Sequence, residues 1–553
     1  MGRSSRRAGV PHARRRRWIG QASVRVLIFH GYLLGGTGSN VYTAKLAEAL
    51  TRLGHEVHLL CQDRHPQALP FVDAVASWDT GVLEVSTRRD APRCTVYRPD
   101  IGGLLPVYVA DRYEALEART FAECTLAEVD AYVDANVEAV GDVLARCRPE
   151  VALANHLVMG PVVLARALAG SGVPYAVKIH GSALEYTVKP GGDRFLGAAR
   201  EGLAGARAVL VGSGHTAASL WSAMRDDSIR ARTRLGPPGV DVEQFTPRTK
   251  SAQVEGLDAL RARLTDQSGD ANASIGDGFA RDAGAGRALA TIDPQGDRLV
   301  AFVGKLIVSK GIDLLLAAWP LVLERVPAGR LVVVGFGAFR AGVEQLIAAL
   351  GAGDLSLVAT LAARGRALEG GPVSSLGHLA AFVDSLKGAE RERYRLAAAQ
   401  LPERVVLTGR LEHAELADLL PACEALAVPS TFPESFGMVA VEAAACGAFP
   451  VSAEHSGLAE VSGVLERAVP SAAAGWLSFP VGPGSVPALA DRLASWLQTA
   501  PALREATRRA LVEEVRERWS WEGVARVVIR AAQGHLEVLP APSVPTHPPA
   551  PGT

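Results

Sequence analysis

Ala427-Val-Pro-Ser-Thr-Phe-Pro-Glu-Ser-Phe-Gly-Met-Val-Ala-Val-Glu-Ala-Ala-Ala-Cys-Gly447 reads as a strand end, a loop and a helix in one line. Ala425 to Val428 is a short apolar run. Pro429, Ser430, Thr431 and Pro433 cannot continue a strand and make a loop. From Met438 to Cys446 the residues are helix formers, and Gly447 suits the C′ position. A helix N-terminus has unpaired N–H groups and a partial positive charge, so Ser435, Phe436, Gly437, Met438 and Val439 offer a place for a phosphate. Glu434 stands before the helix and Glu442 two turns inside it, with carboxylates suited to paired hydroxyls. Phosphate and hydroxyls together suggest a nucleotide-sugar site.

The same strand, loop and helix grammar recurs along the chain. Val24 to Phe29, the loop Gly31 to Asn40 with Gly35 and Gly36, the helix Val41 to Leu53 and the strand His55 to Leu60 form a βαβ unit. The glycine loop lacks the full GxGxxG spacing, and no acidic residue ends the second strand, which disfavours a dinucleotide oxidoreductase. Strands at 151–155, 174–179 and 208–211 alternate with helices at 126–146 and 159–169 and one capped by Ser213. A second series starts at Leu299, with strands at 299–303, 330–334, 405–408, 425–428 and 449–451. The fold class expected is α/β, with two doubly wound parallel domains.

The boundaries expected are 1–22 as a disordered basic arm, 23–247 as the first domain and 248–297 as a linker or insert. A second domain follows over 298–519, with a helical insert at about 339–402. Helices over 488–518 break at Pro501, and 520–535 is a last helix. Residues 538–553 are expected to be a disordered Pro-rich tail.

The chain has 553 residues, enough for two or three domains with sizeable cores. Formal net charge is zero, which gives no reason to expect nucleic acid as partner. Of the 58 basic residues only 7 are Lys, so each Lys position is informative. Six Cys lack CxxC spacing and read as buried free thiols of a reducing, cytoplasmic compartment. No apolar run reaches the length of a membrane span. The Arg-rich start lacks the apolar stretch of a signal peptide, and peripheral contact with anionic lipid at the inner face of a membrane is the alternative to a disordered arm.

Several stretches together resemble the retaining nucleotide-sugar glycosyltransferases of family 4, which have the two-domain GT-B fold. Glu434 to Glu442, in the form Glu-Ser-Phe-Gly-Met-Val-Ala-Val-Glu, matches the family's Glu-seven-residues-Glu motif. Val303-Gly304-Lys305 to Lys310-Gly311-Ile312-Asp313 matches a second, and Gly239-Val240-Asp241 with Phe245 and Pro247 a third. His180-Gly181 and Gly35-Gly36 match the N-terminal pair. The resemblance implies a donor on the C-terminal domain, an acceptor of unknown kind on the N-terminal domain and a last helix that crosses back. It implies donor-sugar contacts from Glu434 and His180, and ribose contacts from Glu442. The family usually has Arg at the position of Lys305, so the charge is kept and the bidentate fork is lost.

Lys305 and Lys310 suit a leaving diphosphate whose negative charge grows in the transition state. Gly35, Gly36 and Gly304 permit close backbone approach. A glycosidase reading of the two glutamates is rejected, because a diphosphate leaving group needs no carboxylic acid. No Asp-x-Asp pair stands in a suitable place, so no metal and no cofactor is expected. The alternatives carried forward are a sugar-nucleotide epimerase of related fold and a non-catalytic nucleotide-sugar-binding protein.

Overall fold

Two large, mainly parallel sheets, each sandwiched by helices, and one two-stranded sheet of Leu104–Val107 with Glu117–Thr120 are described by a computed structural model over residues 23–79, 81–108, 116–266, 282 and 284–542. Among the described residues the first sheet has nine strands. Their spatial order is Thr233–Leu235, Ala208–Val211, Tyr175–Lys178, Val151–Asn155, Arg25–Phe29, Glu56–Leu60, Cys94–Arg98, Ala74–Asp79 and Val82–Thr87. All pairs are parallel except the edge pair Ala74–Asp79 with Val82–Thr87. Runs such as VALAN over Val151–Asn155 are buried on both faces, which is why they are apolar without alternation.

The second sheet has six parallel strands, in the order Val405–Gly409, Gly329–Val334, Arg298–Val303, Ala425–Val428, Phe449–Ala453 and Ser478–Phe479. Numbered along the chain within this half, that order is 3-2-1-4-5-6, and its direction reverses between Arg298–Val303 and Ala425–Val428. The loops leaving two neighbouring strands at such a reversal diverge to opposite faces, and the crevice between them binds ligands. The first sheet has its own reversal between Arg25–Phe29 and Val151–Asn155.

The helix Met438–Ala445 begins after Gly437, whose φ of +104° is a conformation that favours glycine. The helix Trp521–Gln533 packs its apolar face on the first sheet, joining the core of Val26, Leu46, Leu153 and Ala208. Trp521 meets Tyr42 edge to face, with ring centroids 5.5 Å apart. The chain therefore returns to its N-terminal half after building the C-terminal one. Among the described residues no helix is long and apolar enough to cross a membrane.

Several expectations are corrected. Of the linker or insert expected at 248–297, the described part is the helices Lys250–Asp266 and Ala285–Ala290, which bury Leu257, Leu260, Leu264 and Leu289 in the C-terminal core and so do not act as a free linker. Their apolar stripe is diluted by Ala, Asp and Arg, which hides its period. Residues 267–281 and 283 lie outside the described residues.

Val240 and Phe245 also belong to that core, so the first domain ends before 247. The segment 339–402 is helical, yet it is no appendage. It is the crossover between Gly329–Val334 and Val405–Gly409, and it buries Phe339, Leu346 and Leu379. The first helix starts at Gly38, three residues earlier than expected.

The tail expected from 538 is tied down at its beginning: Leu235 donates its N–H to the Pro540 carbonyl at 2.8 Å, and Leu539 is buried. Residues 543–553 and the basic arm 1–22 lie outside the described residues.

Candidate active site

The crevice at the two sheet reversals is a single cleft of about 580 Å³. Its C-terminal wall begins where Arg298–Val303 ends. Gly304 donates to the Val334 carbonyl at 3.0 Å and Leu306 to that of Phe336 at 2.7 Å, which holds the loop against the sheet. A short turn over Val308–Lys310 ends at Gly311, with φ +67°. A Cβ there would lie 1.9 Å from the Pro429 carbonyl oxygen, so only glycine lets the lysine loop stack on the loop after Val428.

That stacking brings Lys310 into an ion pair with Glu434. Ser430 Oγ donates to the same carboxylate at 2.6 Å. Glu434 N–H donates to Ser456 Oγ at 2.8 Å. His455 Nε2 donates to the Ser430 carbonyl at 2.7 Å, and its Nδ1 lies 3.0 Å from Ser456 Oγ. Burial pushes the Glu434 carboxyl up, but the charge of Lys310 and the hydrogen bonds from Lys310 and Ser430 outweigh it and hold the group below its ordinary range. Lys305 is exposed at the cleft, and its Nζ has no ion pair or hydrogen bond among the described residues. A free cation, a paired cation and the start of the helix Met438–Ala445 thus share one wall.

The N-terminal wall is built from strand ends. His180 follows the strand Tyr175–Lys178, and its Nε2 lies 2.7 Å from Asn155 Oδ1 at the end of the next strand. Burial, with nearby His156, Lys178 and His30, keeps the His180 imidazole neutral, well below its usual range. Lys178 Nζ is buried, donates to the Gly236 carbonyl at 2.6 Å and lies 5.4 Å from the Tyr42 ring centre. Burial lowers this amine to about 7. His156 is 2% exposed with φ +69°, and neither ring nitrogen has a partner among the described residues. It is surrounded by the rings of Tyr108, His180, Tyr32 and His30 at 4.5 to 5.8 Å.

The two walls touch. Ser435 Oγ donates to the His180 carbonyl at 3.1 Å. Gly181, at φ +93°, leaves the room: a Cβ there would lie 2.3 Å from Ser435 Oγ. Beside this point Glu460 accepts from the N–H groups of Gly214 and His215 at 2.7 and 2.8 Å, capping the helix Gly214–Met224 from the opposite half. Tyr186 and Phe432, one from each half, stack with centroids 6.5 Å apart.

Residues 37–225 match the family described as glycosyl transferase 4-like domain, and residues 379–518 match glycosyl transferases group 1. The chain belongs to these glycosyl transferases. Its sequence is 30% identical over 234 residues to the D-inositol 3-phosphate glycosyltransferase of Segniliparus rotundus, covering 41% of this chain and 34% of that one. The matches span about a third to a half of the length of the curated relatives, from 34% to 51%.

Among solved structures, sucrose-phosphate synthase from Thermosynechococcus elongatus aligns at a TM-score of 0.55 and 19% identity, over 93% of this chain and 99% of that one. The HepE protein of Anabaena, solved with UDP and glucose, aligns at 0.53 and 14%, over 92% and 99%. The glycosyl transferase fold is therefore GT-B, two doubly wound halves around a cleft.

Within this glycosyl transferase cleft the structure gathers Gly36, His180, Gly304, Lys305, Lys310 and the run Glu434 to Val439. Two residues expected there stand off the wall. Gly35 turns its carbonyl to Asn40 Nδ2 at 2.7 Å and closes the glycine loop. Glu442 lies one helical turn deeper than Met438, with its side chain 3% exposed and 3.3 Å from His413 Nε2. Burial lowers the His413 imidazole, but the Glu442 charge and hydrogen bond outweigh it and raise it above its usual value.

Sequence reasoning assigned no role to His30, Tyr32, Asn40, Tyr108, His156 or Lys178. The strand-end pair Asn155-His156 and the scarcity of Lys were signals in that direction. Among the described residues no three His, Cys, Asp or Glu side chains converge as a metal site.

Proposed function

We propose that this glycosyl transferase moves a sugar from a nucleoside diphosphate to a hydroxyl of an acceptor, with retention at the anomeric carbon. The observation that carries the reading is the C-terminal wall, where unpaired Lys305, the Lys310–Glu434 pair and the helix start at Met438 converge at the sheet reversal opposite His180. When the bond from the anomeric carbon to the phosphate oxygen breaks, the electron pair moves onto the diphosphate. Cations and N–H groups already in place stabilise that charge more than they stabilise the ground state. The acceptor oxygen then bonds to the same carbon, and its proton passes to the departing phosphate oxygen.

Glu434, held ionised by Lys310, accepts from sugar hydroxyls, and no protein nucleophile is assigned. Glu442 with His413 is the polar station for the ribose, behind the wall that holds the diphosphate. HepE was solved with UDP and glucose, which supports a donor of this chemical class. The test is to incubate the full chain with a panel of nucleotide sugars, with and without sugar, inositol and lipid-linked acceptors, and to measure nucleoside diphosphate. Release that depends on one donor is expected. No release from any donor, with no donor raising thermal stability, overturns the proposal.

A further inference from the structure

Behind the N-terminal wall the hydrogen bonds form one line, and their directions follow from a fixed end. Asn40 Nδ2 donates to the Gly35 carbonyl at 2.7 Å, so Asn40 Oδ1 is turned to His30 Nε2, 3.0 Å away, and accepts its hydrogen. Burial pushes the His30 imidazole down to about 4, so the ring is neutral and Nδ1 holds a lone pair. Thr43 Oγ1 is 3.2 Å from that Nδ1 and 2.9 Å from the Ser39 carbonyl, two acceptors that compete for its one proton. In either case an oxygen lone pair of Thr43 is left for Asn155 Nδ2, which donates at 3.3 Å. The other atom of that amide, Oδ1, can only accept, and it lies 2.7 Å from His180 Nε2. His180 Nε2 therefore carries the hydrogen. His180 Nδ1, on a ring that lines the cleft, has no hydrogen bond among the described residues.

We infer that Asn155 is a positioning residue that holds His180 in the Nε2–H tautomer and leaves Nδ1 as an acceptor facing a hydroxyl of the bound sugar. Only the identity of that ligand rests on the proposed function; the tautomer does not. An imidazole free to turn or to change tautomer offers a donor as often as an acceptor, and a donor cannot receive a hydroxyl proton. The relay removes that ambiguity before the ligand arrives. It also ties the ring to the glycine loop, because its first member is Asn40 at the start of the helix Gly38–Arg52. The titratable groups facing His180 are His156 and His30 from neighbouring strand ends, Lys178 two residues before it, and Tyr42 with its ring centroid 5.0 Å away. His156, His30 and Lys178 disfavour the imidazolium and so keep the ring neutral, and Asn155 is the group that chooses between its two neutral tautomers.

The decisive measurement is a long-range proton–nitrogen correlation spectrum of the full chain labelled with nitrogen-15 histidine. The His180 signal is assigned by its loss in His180→Gln. An Nε2–H pattern is expected in the wild type. An Nδ1–H pattern or an even mixture overturns the inference, and this readout needs neither a substrate nor a variant with altered folding.

The second arm uses Asn155→Asp. A carboxylate at Nε2 favours the imidazolium, which turns Nδ1 into a donor. Diphosphate release by Asn155→Asp is expected to fall about tenfold for each pH unit below the new imidazole value, while the wild type stays level over that window. Identical pH profiles for the two proteins overturn the inference. Absence of any release by the wild type sinks the proposed function instead, and the spectrum still decides the tautomer.

Discussion

Replacing Lys310 and Lys305 separately with Met distinguishes a cation that holds the site together from one that only meets the ligand. Lys310 pairs with Glu434, and their side chains are 31% and 21% exposed. Breaking a fully buried pair costs about 3–5 kcal/mol, and an exposed one about 0–1 kcal/mol. Half-burial, with Ser430 still donating to the carboxylate, places Lys310→Met at about 1–3 kcal/mol. In a domain of this size each kcal/mol lowers Tm by about 2–4 °C, so a fall of about 2–12 °C is expected. The Lys305 side chain has no partner among the described residues, and Lys305→Met should leave stability within about 0.5 kcal/mol. Under the proposed function both variants lose a cation that faces the leaving diphosphate, so kcat should fall by about 100-fold in each.

The pH dependence then separates them further. Burial raises the Glu434 carboxyl and Lys310 more than offsets it, so the folded group titrates below the unfolded one. The stability it contributes is present above the ordinary carboxylate value of about 4.3 and is lost as pH falls through the lower folded value. In Lys310→Met burial loses its main opponent, and the acid limb of activity moves up. Calorimetric Tm from about pH 3 to 8, together with diphosphate release over the same range, measures stability, rate and the acid limb. Equal Tm values for the two variants, or wild-type rates in either, refute the reasoning.

Two further outcomes follow from the same geometry. Lys178 titrates at about 7 folded and at about 10.4 unfolded, so between these values the unfolded chain holds the proton and this group makes stability rise with pH; Lys178→Met should flatten that slope in urea midpoints compared at pH 7 and pH 9. Glu460→Ala strips the two N–H groups of Gly214 and His215 of the acceptor that bridges the halves, at about 1.5–3 kcal/mol for each charge-assisted bond before water replaces it; a larger radius of gyration in solution scattering and a raised donor KM are expected, and unchanged values of both would show that the contact does not hold the cleft closed.

The sequence by itself determined what is local. Apolar runs broken by Gly and Pro set strands, loops and helices, so the line from Ala427 to Gly447 is legible without a fold. Lys305, Lys310 and Glu434 were legible because each lies within a few residues of a strand end, and strand ends of parallel sheets point at the crevice. Glu442 was legible as a buried carboxylate but not as the partner of His413, since the two lie on different helices.

His180 and Gly36 were expected in the N-terminal wall, and tertiary structure alone decided the groups that surround them. His30, Asn155 and Lys178 come from three strands far apart in the chain, and only the order of the first sheet makes those strands neighbours. The tautomer of His180 is likewise set by Asn40, His30, Thr43 and Asn155 together. A hydrogen bond between side chains from different strands depends on register and on a few tenths of an ångström, and neither leaves a period in the sequence. Helix Lys250–Asp266 shows the same limit in packing: its stripe of Leu257, Leu260 and Leu264 is too sparse to announce itself, and becomes core only because the second sheet supplies a surface to cover it.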